Sequence, residues 1–266
     1  MRCIFCKNPS DKCVSVEHII PESLGNTEHV LPKGWVCDTC NNYFAREIEK
    51  PFLDSLYGHN SRFEMNIPNK RGRIPAVTGF HLQSQTEVEL SYPLVGGELS
   101  VGALREKDTS RWIQSLQSNS QGTLYIPTAV FPDVNTITSR FIGKVALEAL
   151  ALRCINVLGT NDEIVNKPEL NELRRYVRIG QPPSIWPIHI RRIYPADFGF
   201  LDAKYGKHQI LHEWMIHHIP ESEYYVIVAI FGVEYAINLG GPELEGYQQW
   251  LKDNNSASPL YKESAA

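Results

Sequence analysis

The chain has 266 residues, 42% of them hydrophobic, and a formal net charge of -4 from 26 Lys and Arg against 30 Asp and Glu. That length fills one large domain, or a small one joined to a larger one. It carries no apolar run of about eighteen residues, which excludes a membrane-spanning helix, and its mild acidity means that any nucleic acid must be met by a local basic patch.

The densest chemistry comes first in the chain. Cys3-Ile4-Phe5-Cys6 and Cys37-Asp38-Thr39-Cys40 bracket Glu17-His18-Ile19-Ile20-Pro21, and Asn41-Asn42 follow the last cysteine. Each Cys-x-x-Cys presents two thiolates from one tight turn, and two such turns supply the four sulfurs of a closed, structural zinc site. The alternatives are a disulfide framework, which needs an oxidising compartment, or ordinary buried thiols. The opening Met1-Arg2-Cys3 has no apolar signal segment, so a reducing cytoplasm is the expected location. Cys13, between the two pairs, is left unassigned.

Taken together, the paired cysteines, Glu-His-Ile-Ile-Pro, Ser23-Leu24-Gly25-Asn26 and Cys-Asn-Asn resemble the zinc-ribbon branch of the HNH endonucleases over about residues 1–57. The resemblance implies a ββα-metal, treble-clef-like module: a hairpin carrying the acidic-His pair, then a helix starting just after the last cysteine. It implies His18 as general base, Glu17 as a ligand of a catalytic Mg²⁺ or Mn²⁺, and Asn41 as the closing ligand, separate from the structural Zn²⁺ of Cys3, Cys6, Cys37 and Cys40. Related sequences place an asparagine about five residues before the second cysteine pair to orient the histidine. Here that position is Pro32, with Asn26 or a backbone carbonyl as the expected substitute.

The chemistry asks for these residue types on its own terms. Phosphodiester hydrolysis needs an activated water, a cation at the phosphate and stabilisation of the departing oxygen. A neutral imidazole takes a water proton near neutral pH, and oxygen ligands suit magnesium or manganese. Neighbouring side chains on a strand point to opposite faces, so Glu17 and His18 share one metal only if the strand bends or one of them reaches around. The resemblance makes metal-dependent hydrolysis of DNA the expected activity and implies, by analogy with the family, a role in restriction or phage defence. A non-catalytic DNA- or protein-binding zinc adaptor is the alternative from another class, RNA cleavage is a further one, and a homodimer or an activating partner is compatible with either.

The next helix is expected to start with Asn41 or Asn42 as N-cap, to bury Phe44, Ile48, Phe52 and Leu56, to break or kink at Pro51, and to end by Gly58-His59-Asn60. Residues 59–76 then read as a basic linker in which Lys70, Arg71 and Arg73 either track a phosphate backbone or are simply solvated.

Residues 77–252 read as a second domain of mixed α and β content for recognition or regulation, making the whole chain α+β. Short alternating runs within 77–103 predict a small antiparallel sheet. Residues 139–158 predict a buried helix with Arg140, Lys144 and Glu148 on a narrow polar stripe, Cys154 as a core thiol and Gly159 as its stop. A further helix spans about 168–178, where Arg174, Arg175 and Arg178 either complement the helix dipole or join Arg191 and Arg192 in a phosphate-binding face. A β-meander follows over 209–219, 224–231 and 233–239. Its His208, His212, His217 and His218, with Glu213, form either a sheet surface or a second metal site. The polar residues 253–266 are expected to be disordered.

Overall fold

The structure is a computed structural model that describes residues 1–69, 71–93, 97–195, 200–202, 206–208, 212–219 and 223–261, with backbone alone at 200–202 and 206–208. Helices and antiparallel sheets divide into two compact units: Met1–Glu22, Asn26–Phe52 and Asp133–Ala266 form one, Ser23–Gly25 and Leu53–Pro132 the other. The architecture is α+β as expected, but the units are drawn differently from sequence boundaries at 58 and 76. The cysteine-rich segment shares a unit with the C-terminal half of the chain.

The first unit is built around the helix Thr136–Leu158. Asn135 caps its start by accepting a hydrogen bond from Thr138 N, and Gly159, at φ +70°, ends it in the left-handed conformation that favours glycine. Phe141, Ile142, Val145, Ala146, Ala149 and Ala151 are all fully buried, so the helix is a core element on nearly every face. It packs on a four-stranded antiparallel sheet whose order is His212–Ile219, Glu223–Ile230, Val233–Asn238, His189–Arg192.

The two central strands are buried along almost their whole length, which explains why they read as near-continuous apolar runs. One face meets the long helix, where Ile237 lies near Gly143. The other packs Tyr225, Ile227 and Ala236 against Tyr247 and Leu251 of the helix Glu245–Asp253. The meander thus forms as expected between 212 and 238, while Gln209–Leu211 and the turn at 220–222 lie outside the described residues. His189–Arg192 joins the sheet through Val233↔Arg192 to Ala236↔His189, a partner that the sequence pattern did not announce.

Residues 254–261, expected from sequence to be disordered, instead pack on this sheet, because their side chains meet polar and apolar partners there. Ser258 donates to Glu234, Tyr261 to Glu213, and Leu260 joins the apolar cluster.

The second unit has its own core of Phe63, Ile74, Val77, Val88, Leu90 and Trp112. Its antiparallel sheet runs in the order Ser100–Ala103, Thr86–Ser91, Val77–His81, Leu124–Tyr125, with the helix Thr109–Ser118 completing the unit. The small sheet within 77–103 is therefore present, and Val77–His81 alternates buried and exposed as a half-buried strand should. The helix Leu56–Glu64 belongs to this unit and runs straight through Gly58-His59-Asn60, so residues 59–64 are helix and not linker.

Candidate nuclease site

The cysteine pairs form two knuckles. In the first, Cys3 N donates to Asn8 O and Lys7 N to Cys3 O, with Lys7 turned to φ +62°. In the second, Cys37 precedes the helix Asp38–Phe44, and its Sγ accepts from Cys40 N at 3.4 Å. Cys37 is thus the N-cap, in place of the expected Asn41 or Asn42, because the sulfur of a Cys-x-x-Cys turn accepts the free N–H of the helix's third residue, Cys40. Ile4 N donates to Trp35 O and ties the knuckles together.

The ligand atoms of Cys3, Cys6, Cys37 and Cys40 all lie within 4.8 Å of one another. A tetrahedral zinc with bonds of about 2.3 Å sets its sulfurs about 3.8 Å apart, so the cluster fits one such ion. Cys13 and Cys154 lie outside it. Among themselves the sulfurs cannot share negative charge: the hydrogen bond with Cys40 draws the Cys3 thiol down to about 5, while that bond and burial push Cys40 far up. Burial likewise pushes Cys6 up to about 11. Four thiolates at once require a cation among them.

The motif hairpin pairs Glu17–His18 with Val30–Leu31, in the register Glu17↔Leu31 and His18↔Val30. Asn26 holds its loop. Its Nδ2 donates to Ile20 O at 2.7 Å and to His29 O at 3.1 Å, and its Oδ1 accepts from Glu28 N and His29 N. All its capacity goes to backbone, so Asn26 does not orient His18. The His18 ring is half-exposed and makes no hydrogen bond among the described residues. Asn41, on the motif helix, comes beside the same strand and donates to Val16 O at 3.4 Å.

Glu17 goes the other way. It is 5% exposed, and its Oε1 lies 2.6 Å from Nζ of Lys144, whose side chain is wholly buried in the middle of the long helix. Lys144 also pairs with Glu49 at 2.9 Å and Glu148 at 2.8 Å, and donates to His18 O at 3.4 Å. Burial opposes charge on Lys144, but the three carboxylates hold the ammonium well above its usual range. Burial pushes Glu148 up, and its Oε1 has no hydrogen-bond partner. Burial also raises Glu17, against the pull of Lys144.

The acidic-His pair is therefore split across the strand as side-chain alternation dictates. The fit of a catalytic divalent metal can be judged on that geometry. Glu17 is turned inward and already holds a cation, so the set Glu17, His18 and Asn41 does not form a metal site in this arrangement.

The polar stripe of the long helix is a buried seam. Lys144 and Glu148 form the cluster above, while Arg140 donates to Tyr43 Oη at 2.7 Å and to Val177 O at 2.9 Å. Beside it Phe52 stacks on Phe141 with centroids 4.0 Å apart. The backbone between Asp38 and Asp54 is not one regular helix. A π-helical turn, Ala45–Glu49, runs directly into the helix Lys50–Asp54, with Lys50 N donating to Ala45 O, so Pro51 follows a stretch in which the regular i→i−4 pattern is already interrupted. Glu49, at the end of that turn, is one of the Lys144 carboxylates.

Arg174 is structural. It is 2% exposed and donates to Ile4 O at 2.8 Å, Lys167 O at 3.0 Å and Ile164 O, pinning the first knuckle to the helix Asn171–Ile179. Arg191 pairs with Glu234 at 2.5 Å and Arg192 donates to Tyr194 O and Phe231 O, whereas Arg175 and Arg178 are exposed. No phosphate-binding face assembles from the five.

Arg71 and Arg73 are exposed on a turn in the second unit that Asn69 organises through Arg71 N, Arg73 N and Gly72 N, with Gly72 at φ +74°. Lys70 lies outside the described residues. His212, His217 and His218 pack against Phe231, Trp250 and Tyr224, and the cysteine cluster is the one potential metal-binding group among the described residues. The side chain of His208 is not described.

Residues 3–57, about a fifth of the chain, match the family model described as HNH endonuclease. No curated protein and no solved structure matches the chain. No helix among the described residues is long and apolar enough to cross a membrane.

Proposed function

We propose that the protein is an endonuclease that hydrolyses DNA phosphodiester bonds, with His18 as the general base. The observation that carries this reading is the half-exposed His18 ring on a hairpin strand, with Asn41 of the motif helix beside it, in a segment that matches the HNH endonuclease family. The four cysteines hold a structural Zn²⁺ that fixes the helix start against the hairpin.

His18 supplies a ring nitrogen to take the proton of an attacking water as it closes on the phosphorus. Asn41 supplies an amide at the mouth of the same strand to position that water or a phosphate oxygen. The resemblance implies magnesium or manganese at the scissile phosphate, but Glu17, His18 and Asn41 do not form a site for it, so no step is assigned to such an ion. Lys70, Arg71 and Arg73 contact the phosphate backbone, and a role in restriction or phage defence accompanies the resemblance.

One observation favours a second reading. The engagement of Glu17 by Lys144 suits a non-catalytic zinc module that binds DNA or protein. Wild-type protein incubated with supercoiled plasmid, single-stranded DNA and RNA, in Mg²⁺, Mn²⁺ or chelator, separates the readings. Plasmid nicking or linearisation supports the DNA endonuclease, cleavage of RNA alone replaces its substrate, and binding without cleavage of any substrate supports the adaptor.

A further inference from the structure

The resemblance sets a divalent cation at the acidic residue of the motif, yet an ammonium is already there. Lys144 Nζ lies 2.6 Å from Glu17, 2.9 Å from Glu49 and 2.8 Å from Glu148, in a place with no solvent exposure of the lysine. The four residues come from the motif strand, the π-helical turn behind the motif helix, and two successive turns of the long helix. A buried carboxylate needs a partner of opposite charge, and a buried ammonium needs several acceptors. The ammonium finds its acceptors in the three carboxylates and is their shared counter-charge, and Lys144 also donates to His18 O on the strand itself. The same ion pair that satisfies Glu17 thereby fixes the backbone of His18.

We propose that Lys144 is a positioning residue of the site: its ammonium is the cation that Glu17 holds, and through Glu17 it fixes the strand that presents His18. Glu17 is then not a metal ligand. Outside the family-matched segment, the long helix contributes to the site through its one fully buried lysine.

The test is a double-mutant cycle on the full chain, Glu17→Gln, Lys144→Met and the pair, read by Mn²⁺ binding in electron paramagnetic resonance, by melting temperature and by the NMR signal of the His18 ring. Glu17→Gln is expected to keep Mn²⁺ affinity within about twofold of wild type and to lower the melting temperature by about 5 °C or more. The paired variant should lose less than the two singles together, and the His18 ring signal should shift in every variant.

A loss of Mn²⁺ affinity of about tenfold or more in Glu17→Gln overturns the proposal, as do additive thermal losses or an unmoved His18 signal. If wild type binds no Mn²⁺, the thermal cycle and the His18 signal decide. If Lys144→Met alone is insoluble, Lys144→Arg takes its place, with rescue of the His18 signal expected and its absence counting against the proposal. None of these readouts requires cleavage, so a silent nuclease and a wrong assignment of Lys144 give different results.

Discussion

Lys144 and Glu17 form an ion pair of 2.6 Å between the middle of the long core helix and the motif strand that carries the candidate base. With Arg140 on Tyr43 at 2.7 Å and Phe52 stacked on Phe141, it makes residues 3–22 and 26–52 of the family-matched segment part of the core of their unit.

A fragment ending at residue 58 should therefore fail to fold even with zinc. Phe44, Ile48 and Phe52 are each at most 1% exposed in the full chain. Cutting there removes Phe141 and Lys144, exposes apolar surface and strands Glu17 and Glu49 without their counter-charge. The amide NMR spectrum of the zinc-loaded fragment is expected to be collapsed, and a dispersed spectrum would show a self-sufficient module.

Replacing Cys40 by Ser should reduce bound zinc from about one ion per chain to none, as read by elemental analysis, and destabilise the unit because structural metal binding is folding free energy. Chelation of the wild type should do the same. Cys13→Ser should change neither zinc content nor melting temperature, because Cys13 stands outside the sulfur cluster.

Acidification should weaken the fold through two histidines. Burial lowers His29, and burial followed by the neighbouring Arg191 lowers His189. The Nδ1 of each ring is buried without a hydrogen-bond partner. With folded values below the unfolded one of about 6.5, the native state holds fewer protons than the unfolded chain. Their contribution is complete above about pH 6.5 and is lost as pH falls toward the lowered values. Because the raised carboxyls of Glu17 and Glu148 act in the opposite direction, the histidine share is read as a difference: between about pH 7.5 and 5.5 the urea midpoint of His189→Phe should fall less, or rise more, than that of wild type.

The paired substitution Arg71→Gln with Arg73→Gln should flatten the salt dependence of DNA binding by about two units of log-log slope, as expected when two phosphate contacts are lost. An unchanged slope would make the turn an ordinary solvated surface.

The reach of the sequence is clearest in this same region. Spacing located the four sulfurs, because ligand geometry is set within a few residues of chain, while the hairpin histidine came with the family resemblance. The antiparallel small sheet and the meander were legible from alternation and apolar runs. The roles of Arg140, Lys144 and Glu148 were not, although the clue was present: charged residues spaced by four on an otherwise apolar helix need buried partners. What the pattern cannot give is which residues those partners are, since Glu17 and Tyr43 are distant in sequence. The Cys37 cap was hidden for another reason, because a cysteine sulfur is not among the usual capping side chains. Neither did the sequence reveal that Asn26 spends its amide on the hairpin loop, since the choice between backbone and imidazole is made by tertiary geometry.

The most direct test of the central claim is nicking of supercoiled plasmid by wild type and by His18→Ala at equal zinc content and matched melting temperature. The account predicts loss of cleavage by about a hundredfold or more, the scale of a removed general base. Cleavage by His18→Ala at the wild-type rate would contradict it.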